Sequence, residues 1–384
     1  MAVPGRGWDA VDMGIGAVGS AALLHLARRG HRVLGVERFW VPNPRGSSHG
    51  RSRMFRVGFP DPDRVPLLLR SRELWRELEA TSGENLFRTT GHLTVGPSEG
   101  ELVQRTVEAC RRWDVAFDLL SARELSERHP AFRVPSDHRV VVQPDGGILD
   151  PERCVATTTR QAEAHGARLR TGLRLREWRE GESGVTLRLE DGEGGTEVVE
   201  CGRLILALGP WSVHGLRLPS GAVTAERQVT GWLRPFSRSL FQPDRFPAFL
   251  LEVPEGRYYG FPELTEDGVK VGRFHHLRER VDPDHMDRTV SSGDRRVLRE
   301  FTERYFPEGA GEPVRLETCL YTNSRDHEFV VGPLPGAPRV LTATAFGGHG
   351  FAFAPVMGEI LTDLAVEGST RHDIEAFRPG RLAA

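Results

Sequence analysis

Residues 10–39 read AVDMGIGAVGSAALLHLARRGHRVLGVERF. This stretch constrains the fold more than any other, because it reads as strand, glycine turn, helix and second parallel strand. Gly14, Gly16 and Gly19 form G-x-G-x-x-G. Gly14 suits a tight turn, Gly16 lets the backbone approach a pyrophosphate, and Gly19 lets the helix pack on the strand. The helix carries an apolar stripe of Ala22, Leu23, Leu26 and Ala27, and Gly30 stands where a helix ends. Glu37 follows Gly19 by 18 residues, where a carboxylate can accept from a ribose hydroxyl. With the helix N-terminus facing the phosphates, these parts describe a dinucleotide site on a Rossmann-type α/β unit. The motif alone permits either FAD or NAD.

Asp12 does not fit this pattern. Its neighbours predict a buried parallel strand, which is normally apolar on both faces. An unpaired carboxylate there is costly or protonated. A hydrogen-bonded or wet Asp12 and a weakened first strand are both open readings.

The chain has 384 residues, enough for two domains, and a formal net charge of −2. Neither nucleic acid nor an anionic membrane finds an electrostatic argument here. The four cysteines, Cys110, Cys154, Cys201 and Cys319, are far apart without metal-ligand or redox spacing, so no metal is expected and a reducing, cytoplasmic compartment suits them. No apolar run approaches membrane-spanning length.

Further along, helical spacing covers VPLLLRSRELWRELEATSG and EGELVQRTVEACRRWD. Asp150 caps a helix that begins at Pro151 and ends near Gly166. RLILALG is an apolar parallel-type strand, residues 222–320 alternate in strand style, and RVLTATAFGGHGFAFAPV runs from strand through glycine turn to helix. The fold expected is α/β. A discontinuous dinucleotide domain spans 8–82, 150–220 and 325–384, and a strand-rich substrate domain with a large antiparallel or mixed sheet spans 83–149 and 221–324.

Lys270, in DGVKVGRFHH, is the only lysine in the chain, and arginine holds every other such basic position. A compact ammonium shifts its pKa when buried, whereas a guanidinium does not. A position that requires an amine explains the exception, and a chance survivor on an exposed strand is the plain alternative.

GIGAVGS, RGSSHGRSRMFR, ETCLYTNSRDHEF and FGGHGFAFAP, taken with their spacing, resemble the monomeric sarcosine oxidase, peroxisomal sarcosine oxidase and N-methyltryptophan oxidase family of D-amino-acid-oxidase-like flavoproteins. The likeness runs from Trp8 to about Arg378. It implies FAD, attached through a thioether to Cys319, and cofactor contacts from Gly14, Gly16, Ala17, Val18, Gly19, Glu37, Arg38, Ser47, His49, Gly209, Trp211, Gly347, Gly348, His349 and Gly350. It implies that Arg53 lies beside the flavin ring, that Arg56 binds a substrate carboxylate, and that Lys270 promotes reaction with oxygen. His275 is expected to point into the substrate pocket, with Tyr259 and Tyr321 as pocket tyrosines. Packing roles for the two tyrosines, an inert buried Cys319 and a solvated basic loop around Arg53 are the structural alternatives.

The chain departs from the family at Ala352, where HGFAF replaces a pattern with lysine in the fourth place. The missing lysine is the second clamp on a substrate carboxylate, and its loss opens space at the substrate-binding end. Either Arg273 or Arg325 replaces it, or the substrate is a larger amine without a free carboxylate. The activity implied is oxidation of a secondary or tertiary amine to an imine, with O2 reduced to H2O2, by a monomer. Imine formation on a biosynthetic intermediate, an NAD-dependent dehydrogenase and a non-catalytic flavoprotein are the rival readings.

Overall fold

The first strand, Trp8–Met13, lies between two parallel partners, Val33–Glu37 and the second half of Thr196–Leu206. These belong to a computed structural model that describes residues 7–383. Arg168–Thr171 extends the parallel run beyond Val33–Glu37, and Ala337–Thr344 extends it beyond Thr196–Leu206. Val330–Leu334 closes that edge antiparallel. The long strand Thr196–Leu206 serves two purposes. Its first half forms a hairpin with Val185–Glu190, and its apolar second half enters the parallel core. Helix Ala17–Arg28 covers one face together with Pro151–Ala164 and Gly350–Val366. Gly30 adopts φ +79° just past the first helix, the left-handed conformation that a glycine stop supplies.

A second, nine-stranded sheet is mixed. Across it run Val223–Leu233, Val269–Arg273, Gly256–Phe261, Ala248–Val253, His92–Pro97, His138–Gln143 and Asp118–Ser121, with Arg280–Val281 at the far end. Pro313–Ser324 pairs with the other edge of Val223–Leu233. Only the contact between His92–Pro97 and Ala248–Val253 is parallel. Phenylalanines 132, 246, 249, 301 and 306 pack behind this sheet as one aromatic core. A small third sheet, Arg53–Phe55 with Gly147–Leu149 and Phe87–Thr89, ties the loop that carries Arg53 to the rest. Among the described residues, no helix is long and apolar enough to cross a membrane.

Asp12 is wholly buried on the first strand, between Gly35 and Ile205 in register, and neither carboxylate oxygen has a hydrogen-bond partner. The hydrogen-bonded reading therefore fails. Desolvation holds its pKa well above the usual carboxylate range.

Candidate active site

The glycine turn leaves the first helix without a side-chain cap and without an acidic residue in its first turn. Ala17 N donates to Ser48 Oγ at 3.0 Å, and the uncapped helix N-terminus beyond it favours an anion. Gly14 takes φ +97°, and a Cβ at Gly16 would stand 3.1 Å from Ser48 Oγ. Gly19 sits on the helix side instead. A Cβ there would collide with the Gly14 carbonyl oxygen at 2.0 Å, so its part is close packing. Glu37 braces the turn: Oε2 accepts from the Ile15 amide at 2.9 Å and Oε1 from Phe39 at 3.0 Å.

From this turn one continuous cavity of about 630 Å³ runs to the face of the second sheet. Gly14, Gly16, Ala17, Val18, Glu37, Arg38, Ser47, His49, Gly209 and Trp211 line one stretch of it. Arg53, Arg56, Tyr259, Lys270, Cys319, Tyr321, Gly347, Gly348, His349, Gly350 and Ala352 line the rest. Arg38 pairs with Asp284, whose carboxylate also accepts from Trp211 Nε1 at 2.7 Å.

Two expectations for the site change. His275 is not among the residues lining the cavity: its Nδ1 lies 3.0 Å from Glu226 Oε1, and Phe274 takes the cavity wall beside Tyr321 and His349. Nor does Arg273 or Arg325 line the cavity, so neither stands where a second carboxylate clamp is needed.

Burial sets the electrostatics. Lys270 Nζ donates to Ser52 Oγ at 3.1 Å and to Ser52 O at 3.4 Å, with no carboxylate among its hydrogen-bond partners. Desolvation, followed by the Arg53 charge, pushes its pKa down to about 7. Desolvation also lowers His49 to about 3, so that imidazole is neutral. Arg56 is pushed down to about 10 by burial and then by Arg257, and it remains a cation at neutral pH. Its Nε and Nη2 are buried without a partner, and its guanidinium rests over Phe59. Tyr259 is pushed up to about 12 by burial, and its hydroxyl pairs with Tyr321. Cys319 and Tyr321 share one face of Pro313–Ser324, and Cys319 Sγ is 3.9 Å from Arg53 Nη2. Trp232, Phe261 and Phe274 also line the cavity and were missed in the sequence. Strand alternation places Phe274 on the face of Lys270, four residues earlier, and was the available signal for it.

A glycine turn at an uncapped helix N-terminus, an acid after the second strand and buried cations at the other end together fit a dinucleotide that carries a redox ring. Residues 13–364 match the family described as DAO, FAD dependent oxidoreductase. The chain belongs to that family. Over 98% of its length it is 34% identical to the monomeric sarcosine oxidase of Bacillus sp. (strain B-0618), covering 96% of that protein. It is 35% identical to the monomeric sarcosine oxidase of Streptomyces avermitilis, with 98% of each chain covered. N-methyl-L-tryptophan oxidase of Salmonella heidelberg is 30% identical over 98% of this chain and 99% of its own. Among solved structures, the open form of NikD, an unusual amino acid oxidase essential for nikkomycin biosynthesis, superposes with a TM-score of 0.82 at 26% identity, covering 98% of both chains. The expectations of the FAD-dependent fold and of a flavin-dependent oxidase acting on C–N bonds are met by these relatives.

Proposed function

We propose that this FAD-dependent oxidase takes a secondary or tertiary amine that carries one anionic group and a body larger than sarcosine, and converts it to an imine with release of H2O2. The observation that carries this reading is Arg56, a buried guanidinium at the cavity with two nitrogens lacking any protein partner. A guanidinium so placed calls for an anionic ligand, and a carboxylate satisfies it through charge-assisted hydrogen bonds. Ala352 contributes space in place of a second cation. The substrate is therefore held at one point by charge and elsewhere by the aromatic surface of Phe274, Tyr321 and His349.

FAD, when bound, would accept a hydride equivalent from the carbon beside the amine nitrogen, leaving the imine or iminium, and would pass the two electrons on to O2, which takes up two protons to form H2O2. The glycine turn and Glu37 would hold its nucleotide portion, and Cys319 would carry it through a thioether. Arg53, 3.9 Å from that sulfur, places a permanent positive charge beside the attachment point. Lys270 faces the cavity as a compact cation, which favours negative charge developing on oxygen as it is reduced. The substrate nitrogen must enter unprotonated, so the rate of amine oxidation rises with pH. The chain works as a monomer, and its four cysteines, with no disulfide between them, suit the cytoplasm.

The test is peroxide release across a panel of amines that includes sarcosine and N-methyl-L-tryptophan. Ala352→Lys restores a second cation, and it is expected to tighten sarcosine binding about tenfold while impairing the best large substrate. Wild-type enzyme that prefers sarcosine would refute the larger-body assignment. A best substrate with no acidic group would favour the second reading, an imine-forming step on a carboxylate-free intermediate, for which the missing cation at Ala352 is the supporting observation.

A further inference from the structure

Lys270 belongs to a row that crosses four strands. Phe261 stands directly opposite it on one neighbouring strand and Trp232 directly opposite on the other. Arg315 faces Trp232 from the strand beyond. Directly opposed residues of antiparallel strands share a face, so the register alone brings these four side chains together. Lys270 Nζ lies 5.0 Å from the centre of the Trp232 ring and 5.2 Å from that of Phe261. The Arg315 guanidinium lies 5.2 Å from the Trp232 ring.

Two of the three ammonium donors are used by Ser52, and among the described residues no carboxylate is hydrogen-bonded to the ammonium. The groups around it are mostly cationic or uncharged. His49 approaches from the loop before the third sheet, Arg53 from the start of that sheet's first strand, and Cys319, Glu317 and Arg315 from Pro313–Ser324. Glu317 is itself tied to Arg315. Such a site drives a lysine toward the neutral amine, and a neutral amine cannot stabilise an oxygen anion. What the site supplies in place of a counter-ion is the negative face of an aromatic ring, and indole is the strongest such face among the side chains.

We propose that Trp232 is a positioning residue for the oxygen step, holding Lys270 as a cation over its ring while Arg315 occupies the neighbouring place in the row. This inference rests on the assignment of Lys270 to that step. It makes the aromatic residue on an adjacent strand, with no polar contact to Lys270, a determinant of how far into the alkaline range the enzyme consumes oxygen.

The chain's single lysine makes a direct test available. Holoenzyme grown with [13Cε]lysine shows one lysine side-chain resonance, and its chemical shift follows the protonation of Lys270 without turnover. Trp232→Leu is expected to lower the titration midpoint by about one pH unit, since a desolvated cation–π contact is worth that much. Tryptophan fluorinated progressively on its benzene ring at position 232 keeps the shape and drains the quadrupole. It should lower the midpoint stepwise, and this series holds even where Trp232→Leu does not fold. In parallel, holoenzyme reduced by light and mixed with O2 should show its alkaline limb move down with the same series. A lysine resonance that titrates at the wild-type pH in every variant would overturn the role of Trp232. If that occurs while Lys270→Met slows reoxidation by orders of magnitude, Lys270 keeps its part and only Trp232 loses its own. Unchanged reoxidation in Lys270→Met would remove the assignment on which the inference rests.

Discussion

Asp12 carries an uncompensated cost. A buried carboxyl with no partner loses its hydration and regains nothing, about 1–3 kcal/mol even as the neutral acid. Its folded pKa is raised, while the unfolded chain titrates near 3.9. Below about pH 4 both states hold the proton, and ionisation adds no penalty. As pH rises above that, the unfolded state releases its proton and the folded state retains it, so stability falls by about 1.4 kcal/mol per pH unit until the folded pKa is reached. Asp12→Val should therefore raise the melting temperature, and by more at pH 8 than at pH 5, with a gain of a few degrees at the higher pH. Calorimetry of both proteins at the two pH values checks it, and an equal gain at both would show that Asp12 is hydrated after all. The anomaly at position 12 was legible because a parallel strand tolerates so few polar residues. Whether a partner reached it was not legible, since that depends on the helices that cover the sheet.

At the scale of elements, the turn after Val269–Arg273 shows how a backbone choice reassigns side chains. His275 adopts φ +53° and Arg278 φ +55°, a conformation that costs a residue with a Cβ about 1–2 kcal/mol. Glu226 offsets the strain by collecting three donors: Gln228 Nε2 at 2.7 Å, His275 Nδ1 at 3.0 Å and Asn323 Nδ2 at 3.0 Å. Burial pushes the Glu226 carboxyl up, but the His275 contact and the Gln228 bond outweigh it and hold the pKa below the usual value. The Gln228 oxygen in turn accepts the His276 amide at 3.0 Å. The turn is thus fixed at two points, and Phe274 is fixed with it against Tyr321 and His349. Glu226→Gln leaves one acceptor oxygen and adds a competing donor. It should cost about 2 kcal/mol of stability and raise KM for the amine several-fold while kcat changes far less. A stability loss with unchanged KM would show that the turn does not set the pocket wall. The family pattern pointed to His275, yet plain alternation from Lys270 leads to Phe274. Glu226 itself was hidden, because its importance depends on cross-strand register with Tyr321.

At the scale of the whole molecule, the cavity draws its walls from both large sheets and from both ends of the chain. Helix Gly350–Val366 returns to the first helix so closely that a Cβ on Gly358 would lie 2.6 Å from Ala21 Cβ. That return carries the glycines 347, 348 and 350 to a cavity begun at Gly14. The two motifs at the ends were readable because glycines and helix starts have local signatures. The second sheet's strand order was not, since long-range pairing leaves only alternation in the sequence. Cys319 lies on that second sheet, while the glycine turn belongs to the first. A thioether at Cys319 would make the cofactor a permanent part of the structure spanning both. A reversible ligand stabilises by mass action, about 2.7 kcal/mol at a hundredfold excess over Kd, whereas a covalent one does so at any dilution. Wild-type holoenzyme should keep its yellow colour in an acid-precipitated pellet, and its melting temperature should ignore added FAD. Cys319→Ser should release the colour to the supernatant and melt at a temperature that climbs with FAD concentration. Colour lost entirely from the wild-type pellet, or a wild-type melting temperature that climbs with FAD, would place the cofactor in the cavity without the bond and return Cys319 to a packing residue of its strand.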